Sequence, residues 1–204
     1  MTALTWGDDT RYVYGVDRGV LHARGSDAIM PWNGLVDVSV DETDLAEVLA
    51  VFDGHTYANL LFRGFFKAEI TALSFPYEMM SLNGETEALP GFVLTGQEKD
   101  LFDLSYRTFE NAEDYKIHFV WNAIFQSKPK QRDTLSDRLD VVNLKWSVSA
   151  VPEPATYWHR TSYLIVDSAT TDPAVLSSVE DILYGTDVTD PSFPTQTELL
   201  TEFV

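Results

Sequence analysis

Residues 65–75 read Phe65-Phe-Lys-Ala-Glu-Ile-Thr-Ala-Leu-Ser-Phe75, with Phe66, Ala68, Ile70 and Ala72 alternating against Phe65, Lys67, Glu69 and Thr71. A period of two puts the first set on one face of a β-strand and the second on the other, which a helix of 3.6 residues per turn cannot do. The same alternation returns at 101–108, where Phe102, Leu104 and Tyr106 oppose Leu101, Asp103, Ser105 and Arg107. Residues 115–125 (Tyr115-Lys-Ile-His-Phe-Val-Trp-Asn-Ala-Ile-Phe125) predict a long strand. Residues 141–151 predict another, with Leu144, Trp146 and Val148 on one side, and 157–167 closes the series. Shorter strands are expected at 12–16, 20–23 and 36–40, with Asp17-Arg-Gly19 as a tight turn between the first two.

One helix is signposted at both ends. Asp172 is a capping residue, and Pro173 suits the first helical position, where its missing N–H costs nothing. Val175, Leu176, Val179, Ile182 and Leu183 recur at helical spacing and predict the face that meets the core, and Gly185 offers a left-handed stop. Residues 41–51 also show helical spacing (Leu45, Val48, Leu49, then Phe52), but run into an Asp53-Gly54 turn signal and are read as a loop or short helix. One more helical turn is expected within 198–203. Many strands with one amphipathic helix predict a mainly β fold, two packed β-sheets in a sandwich or barrel-like arrangement with one flanking α-helix. With no repeat, low-complexity tract or linker to divide it, the chain reads as a single domain over 1–204, its core about 6–194 and a C-terminal tail at 195–204.

The chain has 204 residues, 45% of them hydrophobic, enough for a well-filled core. It carries 32 acidic and 14 basic side chains, a formal net charge of −18. The excess is spread along the chain, so it is not an acidic tail, and such a surface repels polyphosphates. Zero cysteines exclude disulfide scaffolds, thiolate metal sites and cysteine nucleophiles. A basic segment leading into an apolar run is missing at the N-terminus, so no secretory signal is expected, and no apolar run is long enough to span a bilayer.

Catalytic patterns are missing as well. His22, His55, His118 and His159 form no metal-binding spacing, and no nucleophile elbow, calcium loop or phosphate-binding loop occurs. No catalytic, metal or cofactor residues are therefore assigned. Trp6, Trp32, Trp121, Trp146 and Trp158 are candidates for stacking on sugars, though in a strand-rich chain tryptophans usually anchor a core or an interface. Lys128-Pro-Lys-Gln-Arg132 and Arg138 concentrate four of the 14 bases between two expected strands. Such a loop on an acidic protein suits either solvation or an acidic patch on a neighbouring copy.

Several segments, in order, carry a resemblance. Tyr14-Gly-Val-Asp-Arg-Gly-Val-Leu21, Pro31-Trp-Asn-Gly-Leu35, Phe52-Asp-Gly-His-Thr-Tyr57 and Ile70-Thr-Ala-Leu-Ser-Phe-Pro-Tyr-Glu78 open it. Leu104-Ser-Tyr-Arg-Thr108, Tyr115-Lys-Ile-His118, Val148-Ser-Ala-Val-Pro152, Leu164-Ile-Val-Asp-Ser168 and Asp181-Ile-Leu-Tyr-Gly185 complete it. This ordered set, over residues 6–194, resembles the major tail proteins of long-tailed actinobacterial bacteriophages; 41–51 and the basic loop at 128–138 depart from that pattern. The resemblance implies a virion protein whose copies form hexameric rings stacked into a tail tube, assembled in the host cytoplasm. Such a tube encloses the tape-measure protein, meets other tail proteins, and later conducts DNA without binding it specifically. The alternatives are another virion tail component, such as a minor tail or tail-terminator protein, or a carbohydrate-binding β-sandwich. For a tube, Glu69 and Asp103 are the candidate lumen-facing carboxylates by strand periodicity. The polar segments 41–56 and 126–140, with Asp41, Glu42, Asp44, Lys128, Lys130, Arg132 and Arg138, are the candidate contacts between subunits.

Overall fold

The computed structural model describes residues 13–26, 28–41, 46–52, 55–62, 65–110, 113–126, 128, 143–154 and 160–201. The expected class is the observed one: mainly β, 52% strand against 17% helix, with packed sheet layers and a flanking helix. The strands are β1 (Val13–Ala23), β2 (Ala28–Trp32), β3 (Leu35–Asp41), β4 (Ala46–Phe52), β5 (His55–Phe62) and β6 (Phe66–Ala72). After a 3-10 helix at Tyr77–Asn83 follow β7 (Glu85–Leu89), β8 (Phe92–Thr95), β9 (Phe102–Glu110), β10 (Asp114–Gln126), β11 (Leu144–Ala150) and β12 (Tyr163–Asp167). Two helices close the described chain, α1 (Pro173–Tyr184) and α2 (Gln196–Thr201).

One antiparallel sheet runs β2-β1-β9-β10-β11-β6-β3, with β12 added on β10; β4–β5 and β7–β8 are separate hairpins. The pivot is β10. One edge pairs with β9; on the other, Lys116–Val120 pairs with β12 and Ala123–Gln126 with β11. Between the two halves Asn122 takes a φ of 56°, and Val120 to Ala123 spans the same length as Leu104 to Phe102 on β9. That extra residue is a β-bulge, and it inverts the alternation of side chains. Before it, Ile117, Phe119 and Trp121 face outward toward α1 while Val120 faces the inner core; after it, Ala123 and Phe125 face the inner core. The sheet therefore folds into two layers, a corner made by a strand that changes partner at a bulge.

Two cores result. The inner one gathers Leu21, Trp32, Phe66, Ile70, Phe102, Leu104, Phe125, Trp146 and Val148, and is closed at one end by Met79 and Leu82 of the 3-10 helix. Phe66, Ala68, Ile70 and Ala72 all point into it, as their period requires. Where the curled sheet returns on itself, a Cβ on Gly19 would lie 2.6 Å from Leu35 Cδ1 and 2.8 Å from the Trp32 carbonyl oxygen, so β1 and β3 approach over a bare backbone. The outer core lies under α1, where Val179 and Leu183 are buried against Ile117, Phe119, Trp121, Phe193 and Leu199.

Four expectations are corrected. Asp17-Arg-Gly19 is no hairpin turn: β1 runs through it unbroken, because β9 offers a partner along its whole length and bulges at Gly15 and Arg18 absorb the misfit. Residues 46–52 are strand β4, paired with β5 so that Phe52 lies opposite His55; pairing across the Asp-Gly signal overrides the helical spacing. On α1, Val175 and Leu176 pack partly against the outer core, but Ile182 is half-buried and stands outside that cluster, since a helix resting on a sheet buries one narrow stripe. The boundary at 194 also fails. Gln196 and Leu199 are buried, the Trp121 indole N–H donates to the Pro194 carbonyl at 3.0 Å, and the Gln196 amide donates to the Thr161 carbonyl at 2.7 Å. The helix start is as expected, with Asp172 Oδ1 accepting from the Ala174 N–H at 2.8 Å.

Leu183 and Ile182 are adjacent and differ in burial, so truncation separates them. Leu183→Ala should lower unfolding free energy by roughly 2–4 kcal/mol, and Ile182→Ala by about 1 kcal/mol. Urea unfolding of the two variants checks this; equal losses would place both side chains in the core.

Candidate functional site

The outer side of the folded sheet is divided. Over β1, β9, β12 and the first half of β10 it is roofed by α1 and by the chain from Phe193 to Leu199. Over β3, β6 and β11 the registered residues form a small polar lattice. Asp41, Lys67 and Ser149 make one row, Ser39, Glu69 and Ser147 the next, and Asp37, Thr71 and Lys145 the third. Their side chains alternate with the inward Val38, Val40, Ala68, Ile70, Trp146 and Val148, so the strand period alone delivers a face of short hydroxyls and charges.

Each row also receives one acid and one base. Asp41 shares a row with Lys67 and Asp37 with Lys145, while the Glu69 carboxylate is ion-paired by the Lys128 ammonium arriving from beyond β10. Glu69 is thus on the exposed face, as its period requires, but its charge is compensated. Asp37 and Lys145 were not among the expected site residues. The signal for Asp37 was present in the alternation of Asp37, Ser39 and Asp41 with Val36, Val38 and Val40, and that for Lys145 in the alternation of Lys145, Ser147 and Ser149 with Leu144, Trp146 and Val148.

Asp103 is elsewhere, and this is a correction. It is 4% exposed, on the roofed half of the sheet. Its Oδ1 accepts from Arg24 Nε at 2.8 Å and from the backbone N–H of Asn122 at 2.8 Å, and its Oδ2 lies 2.9 Å from His22 Nδ1. Arg24 extends the network to Glu153, with Nη1 to Oε1 at 2.6 Å. His22 stacks on Phe193 with ring centroids 5.8 Å apart. An outward period on β9 does not mean exposure here, because the C-terminal segment covers that face. Asp103 serves the bulge, meeting the main-chain N–H that the extra residue removes from the ladder.

His118 is another buried titratable group. Its Nδ1 lies 2.6 Å from the Tyr163 hydroxyl and its Nε2 2.8 Å from Thr108 Oγ1, and Tyr106 stacks on it at 4.5 Å with the rings 4° from parallel. Burial, aided by the nearby Lys116 ammonium and opposed by the Glu110 carboxylate, lowers its pKa to about 4. A neutral ring with one donor and one acceptor nitrogen fits two hydroxyls, one accepting and one donating. The group ties β12 to β10 and β9.

Of the expected contact residues, Asp41 ends β3 and Lys128 pairs with Glu69, while Glu42, Asp44, Lys130, Arg132 and Arg138 lie outside the described residues. Trp32, Trp121 and Trp146 are buried, so none of them offers a stacking platform; Trp6 and Trp158 lie outside the described residues. Among the described residues no group of three or more His, Asp or Glu side chains is placed to hold a metal ion, and no helix is long and apolar enough to cross a membrane.

Two measurements follow from the buried groups. Asp103→Asn leaves Arg24 without its buried counter-charge and should cost about 3 kcal/mol in urea unfolding. A loss under about 1 kcal/mol would show that the network is dispensable. For His118, the unfolded chain takes a proton near the ordinary 6.5 and the folded chain only near 4. Its contribution is therefore complete above pH 6.5 and lost as pH falls toward 4, by roughly 3 kcal/mol in all. His118→Gln should flatten that part of the stability profile between pH 7 and 4.5; an unchanged profile would exclude His118 as the cause.

No protein-family model matches the chain, and no curated protein matches it.

Proposed function

We propose that this chain is a structural subunit whose copies assemble into stacked rings, hexameric by the resemblance, forming the wall of a bacteriophage tail tube. The observation that carries the reading is the unroofed polar face of β3, β6 and β11, whose rows each pair one acid with one base. A bore through which DNA slides must not hold phosphate. On this face three ammonium groups (Lys67, Lys128 and Lys145) balance three carboxylates (Asp37, Asp41 and Glu69) in number, Lys128 being ion-paired to Glu69 and Lys67 registered beside Asp41, so the face carries no excess of cations to hold a phosphate, and the net charge of −18 repels the duplex at longer range. Screening confines such a field to about 8 Å at physiological salt, so the balance on the wall itself matters most. The roofed half of the sheet, covered by α1 and the C-terminal segment, is the outer side of that wall.

The expectation of an uncompensated acidic ring at Glu69 and Asp103 gives way to a neutral, hydroxyl-rich lining. The tape-measure protein is the partner within the tube during assembly, and other tail proteins meet its ends. The carbohydrate-binding alternative draws no support from Trp32, Trp121 or Trp146, all of which are in the core.

Negative-stain electron microscopy of the concentrated full-length chain should show rings or hollow tubes; a monomer at every concentration reached would overturn the proposal. Exchanging Asp37 and Glu69 together for Lys should leave assembly intact and make the assembled protein retain duplex DNA at low salt, releasing it as salt rises. Wild-type-like indifference to DNA in that variant would remove this face from the bore.

A further inference from the structure

Where β9, β10 and β12 run side by side, one lysine stands between two carboxylates, on the face of β10 that also carries Val120. Lys116 on β10 is registered directly opposite Asp167 on β12, and Asp114, two residues earlier on the same face, lies opposite Glu110 on β9. The Lys116 ammonium is ion-paired with Glu110 Oε1 and lies 4.0 Å from Asp167 Oδ2. Little water reaches the group: the side chains of Lys116, Glu110 and Asp167 are 26%, 4% and 22% exposed.

Neighbouring bonds hold these groups in place. The Ser168 N–H donates to the Tyr115 carbonyl at 3.0 Å, and Ser168 Oγ accepts from the Tyr115 N–H at 2.8 Å, so the adjacent Lys116 and Asp167 cannot slip past each other. Asp167 Oδ1 accepts from the Ala169 N–H at 2.9 Å, while Oδ2 is the oxygen beside the ammonium. An acyl transfer needs an electrophile with a donor for its oxyanion, a nucleophile, and a proton carrier. Asp167 with the Ala169 N–H, Lys116 and Glu110 supply all three. Condensing an amine with a carboxylate is disfavoured in water, and fixing the two side by side supplies an effective concentration of roughly 10⁵–10⁸ M that offsets this.

We propose that Lys116 and Asp167 join in an isopeptide bond, formed by the chain itself with Glu110 as proton carrier, which staples β12 to β10. Glu110 takes a proton from the Lys116 ammonium and passes it to Asp167 Oδ2. The freed amine attacks Asp167 Cγ, forming the N–C bond, and negative charge gathers on Oδ1, which the Ala169 N–H faces. Glu110 then removes a second proton from the nitrogen and delivers it to Oδ2; the Cγ–Oδ2 bond breaks and Oδ2 departs as water. Of the three ammonium protons, two leave in that water and one stays on the amide nitrogen, and Glu110 ends as a carboxylate. No oxidant or other reactant is consumed. The bond closes a loop that runs from β10 through β11 to β12, and in a chain with no cysteine it supplies the constraint that a disulfide supplies elsewhere. It needs no second copy, so it forms whether or not the chain assembles.

The test is intact-mass spectrometry of the purified, then unfolded, full-length chain, followed by digestion and tandem mass spectrometry. The wild type should be lighter than its sequence requires by one water and should yield a branched peptide joining Lys116 to Asp167. Lys116→Arg, which keeps the positive charge, and Glu110→Gln, which keeps the shape and a hydrogen-bonding amide, should both show the full mass, with folding checked by circular dichroism. A folded wild type at full mass overturns the proposal without recourse to any variant. A water lost without the branched peptide, or lost equally from Lys116→Arg, overturns it too. Such a loss would lie elsewhere, as at Asp53-Gly54, where an aspartate can close on its own backbone. If Glu110→Gln forms the branched peptide as fully as the wild type, Glu110 is not the proton carrier and the mechanism is wrong.

Discussion

The hydrogen bond from the Asn122 backbone N–H to Asp103 holds the point on which the architecture turns. β10 changes partner there, from β12 to β11, and its side chains change faces. A bulge leaves a main-chain donor outside the ladder, and a buried unpaired donor is costly. Asp103 supplies the acceptor, and the charge that burial would make prohibitive is matched by Arg24, which Glu153 anchors in turn. The network thus joins β1, β9, β10 and the segment after β11 at the corner between the two layers.

Everything outward of that corner follows from the change of face. Ile117, Phe119 and Trp121 would point into the inner core if the alternation ran unbroken; inverted, they make a second apolar surface that α1 and the C-terminal segment must cover. On β6 and β11 no such surface exists, because their outward residues are Lys, Glu, Thr and Ser. One sheet therefore presents a roofed half and a bare polar half, and the proposed bore uses the bare one.

The charge of the chain and the charge of this face are different quantities. A net −18 over the whole surface describes repulsion at a distance, while three acid–base rows describe what a phosphate meets at contact. Lys128 illustrates the difference. In sequence it belongs to a basic run, and in space it neutralises the one carboxylate in the middle row.

The sequence alone determined the strands with strict alternation, the helix with its cap, and the inward and outward sets on β6, because each depends on neighbours within a few residues. It placed Glu69 on an exposed face for the same reason. It did not determine which outward faces are exposed. Asp103 and Glu69 have the same local pattern, but the chain from Phe193 to Leu199, some ninety residues beyond Asp103, covers one and leaves the other bare. Nor did it show the bulge at Asn122, since an extra residue is defined only against the partner strand. The hairpin β4–β5 was hidden because its spacing fits a helix and only pairing decides between the two. The β7–β8 hairpin is marked by the Pro90-Gly91 turn ahead of the apolar run Phe92–Leu94, but its exposure required the whole fold: burial belongs to the assembled surface and not to any stretch of chain.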